Sequence, residues 1–213
     1  MRLLKIGVLV LTVLVMTGCS QTYYKTMETF GVHKREILVD RVEEARDSQV
    51  ESKEQFESAL ERFKSVINFD GKDLEDKYNA LNKEYQKSEA KAEDVRDRIN
   101  AVEDVSEALF DEWEDELDQY SNDKYRRIKA AELKDARKRY TRLIASMRKA
   151  EKRMAPVLAT FKDQVLFLKH SLNAQAVASL KSEMISVQAD IKLLIREMQK
   201  SIDASNAFIK SLQ

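Results

Sequence analysis

From Leu74 to Tyr120 the chain repeats an apolar or aromatic side chain at alternating steps of four and three residues. The series runs Leu74, Tyr78, Leu81, Tyr85, Ser88, Ala92, Val95, Ile99, Val102, Ser106, Leu109, Trp113, Glu116 and Tyr120. Only Ser88, Ser106 and Glu116 break it. A mean step of 3.5 residues held over this length is incompatible with a strand, whose faces alternate every second residue. It specifies a long helix with one continuous seam, which must be covered by other helices.

The remainder of the chain follows the same rule. A first helix is expected over 33–68, with Val42, Ala45, Phe56, Leu60, Phe63 and Ile67 on its seam. Asn68-Phe69-Asp70-Gly71 then forms a turn, Gly71 supplying any positive φ, and Asp70 or Asp73 is placed to cap the second helix. Tyr120-Ser121-Asn122-Asp123 forms the next turn, with three candidate caps for the third helix. That helix carries Leu133, Ala136, Tyr140, Leu143, Met147, Ala150, Met154, Val157, Phe161, Val165, Leu168 and Leu172. Pro156 lies inside it; because the seam keeps its phase from Met154 to Phe161, a kink is expected and not a stop. The fourth helix, 174–212, carries Val177, Leu180, Met184, Val187, Ile191, Leu194, Met198, Ile202 and Ile209.

Four glycines and one proline are too few to punctuate a sandwich or a series of β-α units. The expected fold class is all-α: long antiparallel helical hairpins forming a four-helix bundle or coiled coil. Helices 2 and 3 would reach on the order of 75 Å and helices 1 and 4 about 55 Å. The longer pair therefore leaves a protruding tip at 109–134. The tip holds Phe110, Trp113, Leu117, Tyr120, Tyr125 and Ile128, aromatic-rich and rimmed by charge. These six are candidate partner contacts; the plainer reading is that they only zip the end of the hairpin. Charge favours pairing of the same two helices. Residues 103–123 carry ten acids and no Lys or Arg, and residues 124–153 carry thirteen bases against three acids. Laid side by side, each stretch is the obvious counterion of the other, although each exposed pair contributes under about 1 kcal/mol.

The amino terminus reads as an address. Arg2 and Lys5 precede an apolar run from Ile6 to Met16, eleven residues long. A spanning helix needs about 20, so the run has the build of a secretory signal. It ends in Met16-Thr17-Gly18-Cys19, which resembles the lipobox of bacterial lipoproteins, with Met where Leu is usual. Cys19 is the only cysteine. By that resemblance residues 1–18 are a signal peptide and Cys19 is the lipidation site. Residues 19–32 are a lipidated tether, and 33–213 an elongated helical coiled-coil domain. Two or more acyl chains anchor stably, at about 0.8 kcal/mol per buried methylene. Ser20, not Asp, follows the cysteine, which in that class directs the protein to the periplasmic face of the outer membrane; the inner membrane is the lesser alternative. The tether contains Tyr23, Tyr24, Met27 and Phe30 and ends at Gly31.

Little in the chain suggests chemistry. His33 and His170 are far apart and lack a cysteine partner, so no metal site is expected. The glycines form no phosphate-binding loop. Neither a catalytic role nor a cofactor is expected. Basic and acidic residues balance at 37 each, which gives no attraction to nucleic acid. One ligand reading remains: Tyr78, Tyr85, Tyr140, Met147, Met154, Met184 and Met198 would line a slot for a lipid tail or other apolar molecule, since Met adapts to irregular shapes. The plainer and favoured reading is that the same residues fill an ordinary core.

Four segments, TYYKTMETFGVHKREILVDRVEEARDSQ, NFDGKDLEDKYNALNKEY, DVSEALFDEWEDELDQYS and APVLATFKDQVLFLKHSLNAQAVASL, together carry a wider resemblance. Over nearly all of its length after Cys19, the chain resembles an uncharacterised family of Gram-negative bacterial lipoproteins, domain of unknown function number 2959. The resemblance implies a secreted helical protein and brings no activity, cofactor or catalytic residue with it. The expected function is a lipid-anchored periplasmic structural or protein-interaction module of the cell envelope. The alternative is a carrier for a lipid or other apolar envelope molecule. Expected partners are the membrane, through acylated Cys19, and an envelope protein; a homodimer is possible because incompletely covered seams can pair.

Overall fold

This computed structural model describes residues 33–68 and 73–212. Within them lie four α-helices: α1 Lys34–Ile67, α2 Leu74–Leu117, α3 Asp123–His170 and α4 Ala174–Leu212. The expected all-α bundle is what forms. The sequence expectations for residues 1–32, including Cys19, and those for Phe69, Asp70 and Gly71 of the first turn lie outside the described residues.

Each helix packs against its neighbours in sequence, and α1 also packs against α4, so the four close into an up-down-up-down ring. The seams meet inside it. One buried cluster draws on all four helices, and Phe56, Phe63, Leu81, Ile99, Leu143, Met147, Ile191 and Leu194 are among its best buried side chains. Phe63 of α1 meets Phe161 of α3 across the ring, centroids 6.0 Å apart. Burying such a side chain contributes roughly 1.5–3 kcal/mol. Of the expected seam residues on α3, Leu172 alone is exposed, because it lies in the turn beyond His170.

The polar residues on the seams are explained by where their hydrogen bonds go. Ser88 and Ser106 are fully buried, and each hydroxyl donates to the carbonyl one turn back, to Glu84 at 2.8 Å and Val102 at 2.6 Å. Small and internally satisfied, they fit between large neighbours. Glu116, the third exception, is exposed because α2 has by then run past the end of α1. Buried Glu84 ties α1 to α2. It accepts from Gln55 Nε2 at 2.7 Å and Ser58 Oγ at 3.2 Å, and from Lys87 Nζ at 2.9 Å. Burial pushes its carboxyl up, but the bonds from Lys87, Gln55 and Ser58 outweigh this and hold it below its ordinary value. Tyr85 donates to Glu89 at 2.7 Å; burial, helped by that carboxylate, pushes its hydroxyl up to about 12.

Expected cap residues stand at the starts of both α2 and α3, but only one of them makes a side-chain capping bond. Asn122 caps α3, its side chain accepting from Lys124 N at 2.9 Å and Tyr125 N at 3.4 Å. Asp73 occupies the cap position of α2, but with φ 59° its side chain accepts no capping bond. Asp is one of the few residues that tolerate this left-handed geometry. Helix α3 continues unbroken through Pro156, whose ring sits on the exposed face.

Candidate functional site

At one end of the ring, α1 begins and α4 ends level with each other: Arg35 donates to the carbonyl of Leu212. Helices α2 and α3 run on beyond both. The turn end of the 109–134 hairpin therefore protrudes, while Leu109, Phe110 and Glu112 at its base still lie beside the start of α1.

The tip is held by a small core of its own, separate from the main cluster. Phe110, Leu133 and Ala136 are buried in it, with Trp113, Leu117 and Tyr140 packed against them. Phe110 meets Tyr140 edge-on, centroids 5.4 Å apart, and the Arg137 guanidinium lies 5.4 Å over its ring. Phe110 is thus consumed by the hairpin itself. Trp113, Leu117 and Tyr120 are half-buried. Tyr125 and Ile128 stand on the outer surface, 57% and 45% exposed. The six candidate contacts therefore divide into one core residue, three that are half-covered, and two that face outward.

The charge zipper is sparser than the sequence suggested. Across α2 and α3 at this end, Glu114 pairs with Arg137 at 2.6 Å and Glu103 pairs with Arg148. Glu112 turns instead to Lys34 of α1 at 3.1 Å. Arg126 and Lys129 pair locally with Asp123 and Glu132, one turn away. Lys124, Arg127, Lys134 and Lys138 lie exposed along α3. Most charges project outward because the seam, not the flank, faces the partner helix.

Above the ends of α1 and α4 lies a groove of about 690 Å³. Its floor includes Leu38, Leu109 and Phe208, and Trp113 and Glu116 of α2 form one wall. Sequence reasoning did not foresee it; it arises from the difference in helix lengths. None of the Tyr and Met residues of the expected apolar slot lines it. Met147, Met154 and Met198 are instead packed into the main core. The far end carries exposed apolar residues that the seam reading also missed: Leu166, Phe167 and Ile185, the last 83% exposed. Each sits next to a seam position, which was the available signal.

Among the described residues, no group of three His, Cys, Asp or Glu side chains is placed to hold a metal ion, and no helix is long and apolar enough to cross a membrane. The comparison with known families is decisive for kinship. The family model described as "Protein of unknown function (DUF2959)" matches residues 23–212. The chain belongs to the DUF2959 family. No curated protein and no solved structure matches it. The DUF2959 match begins ten residues before His33, so the family's shared unit includes part of the segment expected to be tether.

Proposed function

We propose that this DUF2959 protein is a structural or protein-interaction module of the bacterial envelope. It is held at the periplasmic face of the outer membrane by acylated Cys19. The observation that carries the reading is the overhanging hairpin, which presents Tyr125 and Ile128, 57% and 45% exposed, among basic side chains. Exposed aromatic and apolar side chains inside a charged rim suit contact with another protein. The amino-terminal pattern ending in Cys19 supports the anchor, and the long rods support a role in reach and positioning.

Two measurements test this. A photo-crosslinking residue at position 125 in living cells is expected to trap one discrete envelope protein, and Ile128→Ser is expected to weaken the adduct. A chain giving no adduct above background, or the same adduct from a site on the far end, refutes tip contact. Separately, Cys19→Ala is expected to release the protein from membranes. Retention of that variant refutes the anchor.

The groove of about 690 Å³ favours a second reading, a carrier of a lipid or other apolar molecule, since its size lies within the range of small-molecule sites. That reading expects a co-purifying lipid by native mass spectrometry and a lower melting temperature once it is stripped.

A further inference from the structure

We infer that two copies of this chain pair side by side and point the same way, the acidic outer stripe of α2 in each lying along the basic outer stripe of α3 in the other. The inference does not rest on the tip contact, since it uses the outer sides of the hairpin and neither Tyr125 nor Ile128. Its first support is placement. Asp104, Glu107, Asp111, Asp115 and Asp118 follow one another at steps of three and four residues, so they share one face of α2, and all are exposed. Arg127, Lys134, Lys138 and Arg142, at steps of seven and four, share one exposed face of α3. Exposed Ala131 and Ala145 complete that face and leave room for another helix to approach. Each stripe turns its back on the seam of its own helix, where Val102, Val105 and Phe110 of α2 and Leu133, Ala136 and Leu143 of α3 are buried.

The second support is unspent charge. The ion pairs across the hairpin at this end are Glu114 with Arg137 and Glu103 with Arg148. No residue of either stripe takes part in an ion pair among the described residues. A row of like charges repels itself, and it gains when a row of the opposite sign is laid against it. The third support is register. The two cross-hairpin pairs fix the level of α3 on α2. On that level Asp118 stands beside Lys134, Asp115 between Lys134 and Lys138, and Asp111 between Lys138 and Arg142. Within one chain these groups point outward from neighbouring helices and stay apart. A twofold axis along the rods carries α2 of one copy over α3 of the other without changing level, so the same residues meet. A twofold axis across the rods would lay α2 on α2 and α3 on α3, like charge on like. Charge therefore selects a second copy in parallel, and symmetry repeats each pair, which matters because single exposed pairs are weak.

The test follows the full chain by sedimentation in excess nonionic detergent. A dimer is expected at about 0.02 M salt and a monomer at about 1 M, where charges are felt over only about 3 Å. A chain that is monomeric at low salt overturns the inference. So does a dimer untouched by salt, which would assign the contact to an apolar face. Charge reversal gives a second reading. Asp111→Lys/Asp115→Lys is expected to be monomeric at low salt, and Lys134→Glu/Lys138→Glu likewise, since both stripes of each variant then carry one sign. Mixed in equal amounts, the two are expected to restore the dimer, because each stripe of one variant is opposite to the facing stripe of the other. A mixture that stays monomeric while both variants keep their helical circular dichroism counts against the inference. A photo-crosslinking residue at position 138 of the otherwise natural chain covers the case of misfolding. It is expected to trap α2 of a second copy, read by peptide mass spectrometry; trapping of α3 of a second copy, or of a different protein, overturns the proposal.

Discussion

Single side chains carry the most specific energetic signals in this protein. Gln49 is completely buried between the helices, and its amide nitrogen and oxygen have no partner among the described residues. An unpaired buried polar group costs about 1–3 kcal/mol. Gln49→Leu, similar in volume, is therefore expected to stabilise the fold by about 1–2 kcal/mol, measured by thermal or urea unfolding. A loss of stability would show that the amide has an essential partner. Glu197 is the opposite case. It is 6% exposed and sits between Lys149 at 2.8 Å and Lys200 at 3.0 Å. The hydrogen bond from Lys149, then that from Lys200, hold its carboxyl down to about 2 from its ordinary 4.5. A carboxyl whose value is lowered by folding stabilises the fold above the unfolded value and loses that contribution as pH falls through the folded one. Glu197→Gln should accordingly melt below the natural chain at pH 7. The gap should narrow between pH 4.5 and about 2, which a pH series of melting temperatures will show.

At the level of the element, the helices are stabilised by their seams more than by local signals. Helix α3 shows this best, since it runs 48 residues with Pro156 inside it. The proline removes one backbone bond, at a cost of about 3 kcal/mol or more in a helix interior. Met154, Val157 and Phe161, buried on either side, keep the helix going. Because the ring is on the exposed face, Pro156→Ala removes little packing. It is expected to stabilise the protein by about 1–3 kcal/mol, read from the denaturant midpoint. No gain would mean that the proline relieves a curvature the bundle needs. Helix α1 teaches a different lesson. Its expected seam had a gap between Ala45 and Phe56, which the structure fills with buried Ser48, Gln49 and Ser52. A hydrophobicity pattern cannot register polar residues in a core. Ser48, for one, is satisfied by Asp94 on α2 at 2.6 Å, a partner 46 residues away.

For the whole molecule, the division into one large core and one small one sets how it should open. The main cluster joins all four helices, whereas the tip rests on Phe110, Leu133 and Ala136. Local stability follows local burial. Backbone amides of 114–132 are expected to exchange with deuterium well before those of 38–66. Phe110→Ala should accelerate the tip further while leaving the main core protected. Uniform exchange along α2 and α3 would mean that the tip unfolds only with the rest.

Fold class, the number of helices and the positions of their turns were legible in the residues, because a 3.5-residue seam is a local property that each helix writes for itself. Protrusion of the tip was legible too, since it follows from comparing lengths. Three things needed the assembled ring. It consumes Phe110 internally while leaving Tyr125 and Ile128 outward. It turns most of the opposed charges to solvent, because facing seams point flanks away from each other. And it makes the groove, whose walls come from α1, α2, α3 and α4 together. A cavity exists only where separate elements stop short of one another, and no single stretch of sequence records where its neighbours end.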